Sequence, residues 1–249
     1  MNCNFTLKHY ERICSIIVKS QYKICFFNDN LDNLENILIL RHDVDQSLDQ
    51  SIEIAKIENK YNIKSTFFIW LRSPFYNVFE KKYSDLIYEI INLGHQIGLH
   101  FDESSYKMGN EIDLNNYIDK EVNIIKDFFN LDIFAISMHR PSKWILNNDI
   151  RFKKYINVYS KKYFEEFKYF SDSRRRWKEG CICKKINTNK YNKLHILIHP
   201  FWWIEKDIGF DERMSDFIKE KTYKTNSDLL DNISIYKKIF HNKNNLLEK

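Results

Sequence analysis

The stretch Asn36-Ile37-Leu38-Ile39-Leu40-Arg41-His42-Asp43-Val44-Asp45 passes from four apolar residues into two acids one residue apart. Its apolar half reads as an interior strand, and a strand turns residues i and i+2 to one face, so Asp43 and Asp45 point the same way. Two carboxylates that close repel unless a cation, a strong donor or a shared proton compensates. Asp45 alone could be the cap of the helix that starts near Ser47, because its side chain would accept amide hydrogens of a first turn. A cap does not account for the pair.

Strands and helices alternate on either side of this stretch. Residues 6–20 have helical periodicity, and 22–27 and 36–43 read as strands. Residues 47–62 form an amphipathic helix with a possible Ser47 cap. A strand over 64–71, a helix over 83–94 ending at Gly94, a strand over 96–101, a helix over 114–130 and a strand over 133–139 follow. Later strand candidates lie at 155–160, 169–173 and 193–200. This order implies an α/β fold of right-handed βαβ units around a mainly parallel sheet covered on both faces.

In such folds, barrels included, the site gathers where the strands end. Asp43 and Asp45 end the first core strand. His100 and Asp102 end the third, His139-Arg140-Pro141 the fourth, Asp172-Ser173 a later one and His199-Pro200 the last. Charged and imidazole groups thus converge on one rim.

The bulk numbers agree with one large domain over 1–249, since the chain has only 5 Gly and 3 Pro and shows no Pro/Gly/Ser-rich linker. Lys plus Arg is 39 against 34 for Asp plus Glu, a net +5 spread along the chain, which argues against a dedicated nucleic-acid surface. The cluster Arg174-Arg175-Arg176 reads as a solvated turn. No apolar run reaches the roughly 18 residues of a membrane span. His9, Glu11 and Arg12 interrupt the place where a signal peptide needs its apolar core, so a cytoplasmic protein is expected. Five cysteines without a CxxC pair read as reduced thiols, Cys181 and Cys183 being too close together for half of a usual zinc knuckle.

The segments LRHDVD (40–45), RSPFYN (72–77), GHQIGLHFDE (94–103), MHRPS (138–142), SDSRRRW (171–177) and LIHPFWW (197–203), in this order, resemble the polysaccharide-deacetylase superfamily. These NodB-homology carbohydrate esterases are metal-dependent amide hydrolases on a distorted (β/α)7 barrel. More narrowly, the segments resemble a deacetylase-like subgroup associated with surface-polysaccharide biosynthesis. The resemblance covers a core of about 37–203 and leaves 204–249 as a helical C-terminal extension. It implies Asp43 as catalytic base, Asp45 and His100 as ligands of one divalent metal ion of the zinc type, and Arg140 as the arginine that holds the base. It also places Asp172 and Trp177 along the pocket and His199 as general acid. The residue types suit these roles: a divalent cation lowers the pKa of bound water, a carboxylate takes the water's proton, and an imidazole near neutral pH protonates the departing amine.

One position departs from the pattern. Four residues after His100, where the resemblance calls for a second histidine ligand, stands Ser104. His139, at a strand end on the same rim, is the expected third ligand, with Asp102 and Glu103 as alternatives. His95 begins the strand that His100 ends, and five strand residues span roughly 17 Å, so the two cannot share an ion.

His42 and His195 read as packed histidines, and His9 and His241 as peripheral. Trp70, Trp144, Trp202 and Trp203 read mostly as core, with one of them expected to stack on a sugar ring. Trp144, Trp177, Trp202 and Arg72 are the candidate substrate contacts. The function that follows is removal of an N-acyl group, acetyl or formyl, from an amino sugar, free or nucleotide- or lipid-linked, in surface-glycan assembly. The alternative is a non-catalytic carbohydrate-binding protein that kept the barrel and lost turnover with the second histidine.

Overall fold

Ser47, not Asp45, caps the helix after the first core strand: its side chain accepts the Gln50 amide at 3.3 Å. Asp45 is thereby left to other work. The computed structural model describes residues 3–188 and 190–239. In chain order the elements are α1 (Leu7–Lys19), β1 (Lys23–Cys25), β2 (Ile37–Val44), α2 (Leu48–Lys60), β3 (Thr66–Ile69), α3 (Lys81–Asn92), β4 (Gln96–Phe101), α4 (Glu111–Phe129), β5 (Ala135–Met138), α5 (Lys143–Asn147), β6 (Ile156–Asn157), β7 (Lys168–Ser171), α6 (Ile182–Lys185), β8 (Lys193–Ile198) and α7 (Phe210–Asn232).

Caps and stops follow from local chemistry. Thr6 accepts the His9 amide at the start of α1, and Asn110 accepts the Asp113 amide at the start of α4, each satisfying a backbone donor that a first helical turn leaves free. Gly94, at φ +87°, ends the α3 turn in a backbone region that side chains disfavour.

The strands pair in the order β6-β5-β4-β3-β2-β8-β7, with β1 beside β2, and every pairing is parallel. Successive strands lie side by side while the last two return to the first. The sheet therefore curls into a distorted (β/α)7 barrel. Among the described residues β6 and β7 do not pair, and the barrel stays open there. The expected strand over 155–160 shortens to two residues, and a π-helical turn (Lys162–Glu166) fills the opening. Tyr163 from that turn enters the interior beside Phe27, Ile37, Ile39, Phe68 and Phe167. Burying each such side chain contributes about 1.5–3 kcal/mol. Gly98 marks the tightest approach in this layer, since a Cβ there would lie 2.5 Å from the Phe68 ring.

The chain divides into two compact units, Met1–Glu205 and Lys206–Lys249. The first holds the barrel, and the second contains α7. Among the described residues no helix is long and apolar enough to cross a membrane. His241 lies outside the described residues.

Candidate active site

Strand β2 carries Arg41 and Asp43 on its barrel-facing side, and Asp45 continues that alternation one step past its end. His100 comes from β4, Ser137 from β5, His139 from the turn after β5 and His199 from the end of β8. All but Ser137 and Arg41 of these line one pocket of about 240 Å3 at the carboxyl ends of the strands, with Arg140, Tyr159, Tyr169 and Leu197.

The donor atoms of Asp45, His100 and His139 converge. His100 Nε2 is 2.9 Å from Asp45 Oδ1, His139 Nδ1 is 3.2 Å from the same oxygen, and the two nitrogens are 3.2 Å apart. At metal–ligand distances of roughly 2.0–2.2 Å, a tetrahedral zinc-type ion holds its ligands about 3.3–3.5 Å apart, so this triangle is nearly closed on one ion. The tautomer of His100 fits as well. Its Nδ1 is 3.2 Å from Ser137 Oγ, and that hydroxyl donates to Asp43, so Nδ1 carries a proton and Nε2 is the nitrogen that faces the triangle. Burial opposes the charge on Asp45, but hydrogen bonds from His100 and His139 and the charges of His100 and His199 hold its carboxyl well below the usual range. The residues present suit one divalent cation.

Ser104 does not replace the missing histidine. It donates to Asp102 Oδ1 at 2.7 Å, and Asp102 in turn caps the short turn after β4. Glu103 accepts from the Ser142 hydroxyl at 3.0 Å and from the Ser142 amide. Both alternative acids are thus occupied away from the triangle. Trp70 stacks on His139 with ring centroids 3.9 Å apart, fixing that ring from the side.

Beside the triangle, Asp43 accepts from Ser137 at 3.2 Å and from Arg41 Nη2 at 3.3 Å. The arginine that pairs with Asp43 is therefore Arg41, from inside the opening stretch. Arg140, assigned that part by resemblance, is exposed, lines the pocket and makes no ion pair with Asp43 among the described residues. Arg41 is fully buried. Burial works against its charge, but Asp43 and the oxygens of Tyr159 and Tyr169 outweigh it and keep it a guanidinium. It donates to Tyr159 Oη at 3.1 Å and lies 4.9 Å over that ring. Burial pushes the phenols of Tyr159 and Tyr169 up despite Arg41, so both stand as neutral donors at the pocket wall.

On the opposite wall His199 Nδ1 meets Asp172 Oδ1 at 2.7 Å. The same carboxylate accepts the His199 amide at 3.0 Å and Trp203 Nε1 at 2.8 Å. Burial opposes protonation of His199, but the Asp172 hydrogen bond and charge, with Asp45 and Asp43 behind them, push it up to about 9. That is above the near-neutral range expected of this imidazole from sequence. Asp172 itself is fully buried and does not line the pocket, so its geometry is that of a group that orients His199.

The four candidate substrate contacts lie elsewhere. Arg72 binds Tyr106 and Glu121, each at 3.2 Å. Trp144 is exposed, Trp177 half-buried and Trp202 packed against Phe201. None is among the described residues that line the pocket, whose aromatic lining is Tyr159 and Tyr169. His42 and His95 meet the buried Glu58 behind the sheet, at 2.8 and 3.5 Å, as packed histidines do. Arg41, Ser137, Tyr159 and Tyr169 escaped sequence reasoning. Only Arg41 had a signal there, the alternation that sets it on the face of Asp43.

No family model and no curated protein matches this sequence. Among solved structures, the chain is similar to the Streptococcus pyogenes deacetylase PplD in complex with acetate, at 12% identity over 54% of this chain and 64% of that one, TM-score 0.42. It is also similar to a CE4 family pseudoenzyme from Bacillus anthracis, at 13% identity over 74% and 60% of the two chains, TM-score 0.44. A third is a family 4 acetyl xylan esterase from Clostridium thermocellum in complex with a cobalt ion, at 14% identity over 75% and 84%, TM-score 0.42. The match spans less than two thirds of the first two chains' own length. Solved structures similar to this chain thus include a deacetylase, a family 4 esterase and a CE4 pseudoenzyme.

Proposed function

We propose that the chain is a divalent-metal-dependent amide hydrolase that removes an acetyl or formyl group from the nitrogen of an amino sugar during surface-glycan assembly. One observation carries the reading: a two-histidine, one-carboxylate triangle, a buried Arg41–Asp43 pair and a His199–Asp172 pair meet at one pocket. A binding protein has no use for all three.

Asp45, His100 and His139 would hold the cation. When bound, it would make water acidic and polarise the acyl carbonyl. Asp43 accepts the proton of the attacking water, its carboxylate kept in place by Arg41 and Ser137. As the carbon–nitrogen bond breaks, His199 delivers a proton from Nε2 to the leaving amine, since Nδ1 is committed to Asp172. The acyl group leaves as a carboxylic acid and the sugar as an amine. Tyr159 and Tyr169 present hydroxyls toward the substrate. A pocket of about 240 Å3 is smaller than the usual range for drug-sized ligands, which suits a single acylated sugar unit, free or carried on a nucleotide or lipid.

The test is metal analysis of the purified protein followed by amine release from a panel of N-acetyl and N-formyl amino sugars, free and nucleotide-linked. Release that stops with chelator and returns with added zinc or cobalt is expected. A protein that binds metal at the triangle yet releases no amine from any member would turn the reading to the non-catalytic alternative.

A further inference from the structure

We propose that Cys3, His9, Cys181 and Cys183 form a second metal site, a structural zinc site that fastens the N-terminal segment to the start of α6. Four ligand atoms, three thiol sulfurs and one imidazole nitrogen, lie within 4.8 Å of one another. Cys3 Sγ is 3.5 Å from Cys183 Sγ, and Cys181 Sγ is 3.6 Å from His9 Nε2. Zinc bound at about 2.3 Å to sulfur and about 2.0–2.1 Å to nitrogen sets sulfurs about 3.8 Å apart and sulfur from nitrogen about 3.5 Å apart. The cluster already has that size.

Three details aim the groups at one point. His9 Nδ1 lies 3.2 Å from the Asn4 amide and 2.5 Å from the Asn4 carbonyl oxygen, which can only accept; the shorter contact needs a proton on Nδ1 and leaves Nε2 its lone pair for the cluster. Cys181 and Cys183 would face apart on a regular helix. Cys181, however, is the extended residue before α6, at φ −58° and ψ 136°, and this lets the pair share a target. A disulfide would use two of the three sulfurs and leave the third and the imidazole unemployed. A tetrahedral ion uses all four. His9, read from sequence as peripheral, is buried.

The site has structural work to do. The N-terminal segment pairs with Ile204 through the Leu7 amide, at 2.9 Å, and the Phe5 carbonyl, at 3.2 Å. Phe5 and His9 pack on Trp203, with centroids 5.1 and 5.9 Å away, and Trp203 donates to Asp172. The zinc site thus backs the residues that orient His199 without touching the pocket, and it stands independently of the activity proposed above.

The test uses the full-length protein, purified with reductant and without chelator. Cobalt(II) added to the zinc-free wild type is expected to give a near-ultraviolet thiolate-to-cobalt band that saturates within two equivalents per chain, one for each site. The Asp45–His100–His139 triangle has no sulfur and cannot produce that band. Cys181→Ser should lose the band and one equivalent of zinc, whereas Cys25→Ser, a buried cysteine outside the cluster, should keep both. If Cys181→Ser fails to fold, the wild-type band and its displacement by zinc decide alone. Absence of the band in the wild type, or an intact mass lower by two hydrogens, showing a disulfide, overturns the site.

Discussion

Asp172→Asn should move the protonation of His199 by a large and measurable amount. In the metal-free protein His199 is raised from the ordinary 6.5 to about 9. Because its side chain is only 14% exposed, this rise corresponds to about 3 kcal/mol at roughly 1.4 kcal/mol per pH unit. Burial alone would lower the value, and the hydrogen bond and charge of Asp172 are the largest effects that raise it. The substitution removes that charge, so His199 should titrate near or below 6.5. The sign for stability follows. A group whose folded-state value exceeds its unfolded one stabilises the fold fully below about pH 6.5, and that contribution fades as pH rises through about 9. The wild type should lose thermal stability over this alkaline window, and the variant should not show the same loss. The new amide also points an NH2 group at donors that the carboxylate accepted. That mismatch costs about 1–3 kcal/mol, or about 2–4 °C of melting temperature per kcal/mol in a chain of this size. The assay is a histidine-selective NMR titration of the chelated protein, which needs no substrate. If His199 titrates below 7 in the wild type, or at the same pH in both proteins, the Asp172 account fails.

Three further outcomes are expected. His139→Ala should lose the metal of the pocket, read as zinc content, while Asp102→Ala keeps it; the reverse would make the acid the third ligand. Arg41→Ala leaves Asp43 buried without its cation and should cost about 3–5 kcal/mol in chemical denaturation. Arg140→Ala, at an exposed position, should stay within about 0.5 kcal/mol of wild type, and equal losses in the two would refute the pairing. Asp43→Asn should lower turnover by roughly 10²–10⁴-fold with metal content unchanged, and a wild-type rate would remove Asp43 as the base.

The barrel was legible because its strands are short apolar runs that end in polar residues, and the same feature brought Asp43, Asp45, His100, His139 and His199 to one rim. The arginine was misplaced for a physical reason. Arg140 lies next to a site histidine in sequence, but its backbone turns to φ +50° and it is exposed, whereas Arg41 shares a strand face with the acid. Tyr159 comes from the irregular edge where β6 shortens, which no periodicity marks, and Tyr169 lies inside β7, where an aromatic reads as core. The cysteine cluster joins residues about 180 positions apart, beyond the reach of any spacing rule. Trp70, Trp144, Trp202 and Trp203 read mostly as core from sequence, with one of them expected to stack on a sugar ring. Trp203 is fully buried and Trp70 supports a histidine from the side, so their bulk serves the walls behind the site.

Strand β2 bears polar groups on both faces, and this decides more than the chemistry at its end. Toward the barrel interior Arg41 pairs with Asp43, while toward the helices His42 binds Glu58 of α2 at 2.8 Å and stacks on Phe67, with centroids 4.3 Å apart. Glu58 also accepts Ser65 Oγ at 2.6 Å and the Tyr10 hydroxyl. A slip of β2 by one residue would exchange the two faces. Arg41 and Asp43 would then lie against the helix layer, and His42 would enter an interior lined by Phe68 and Phe27 without its carboxylate. Each misplaced group would be a buried charge or donor without a partner, at several kcal/mol apiece. An all-apolar β2 would permit the slip at far smaller cost. The two polar contacts hold one register, and that register sets Asp43 beside Ser137 and Asp45 within reach of both His100 and His139.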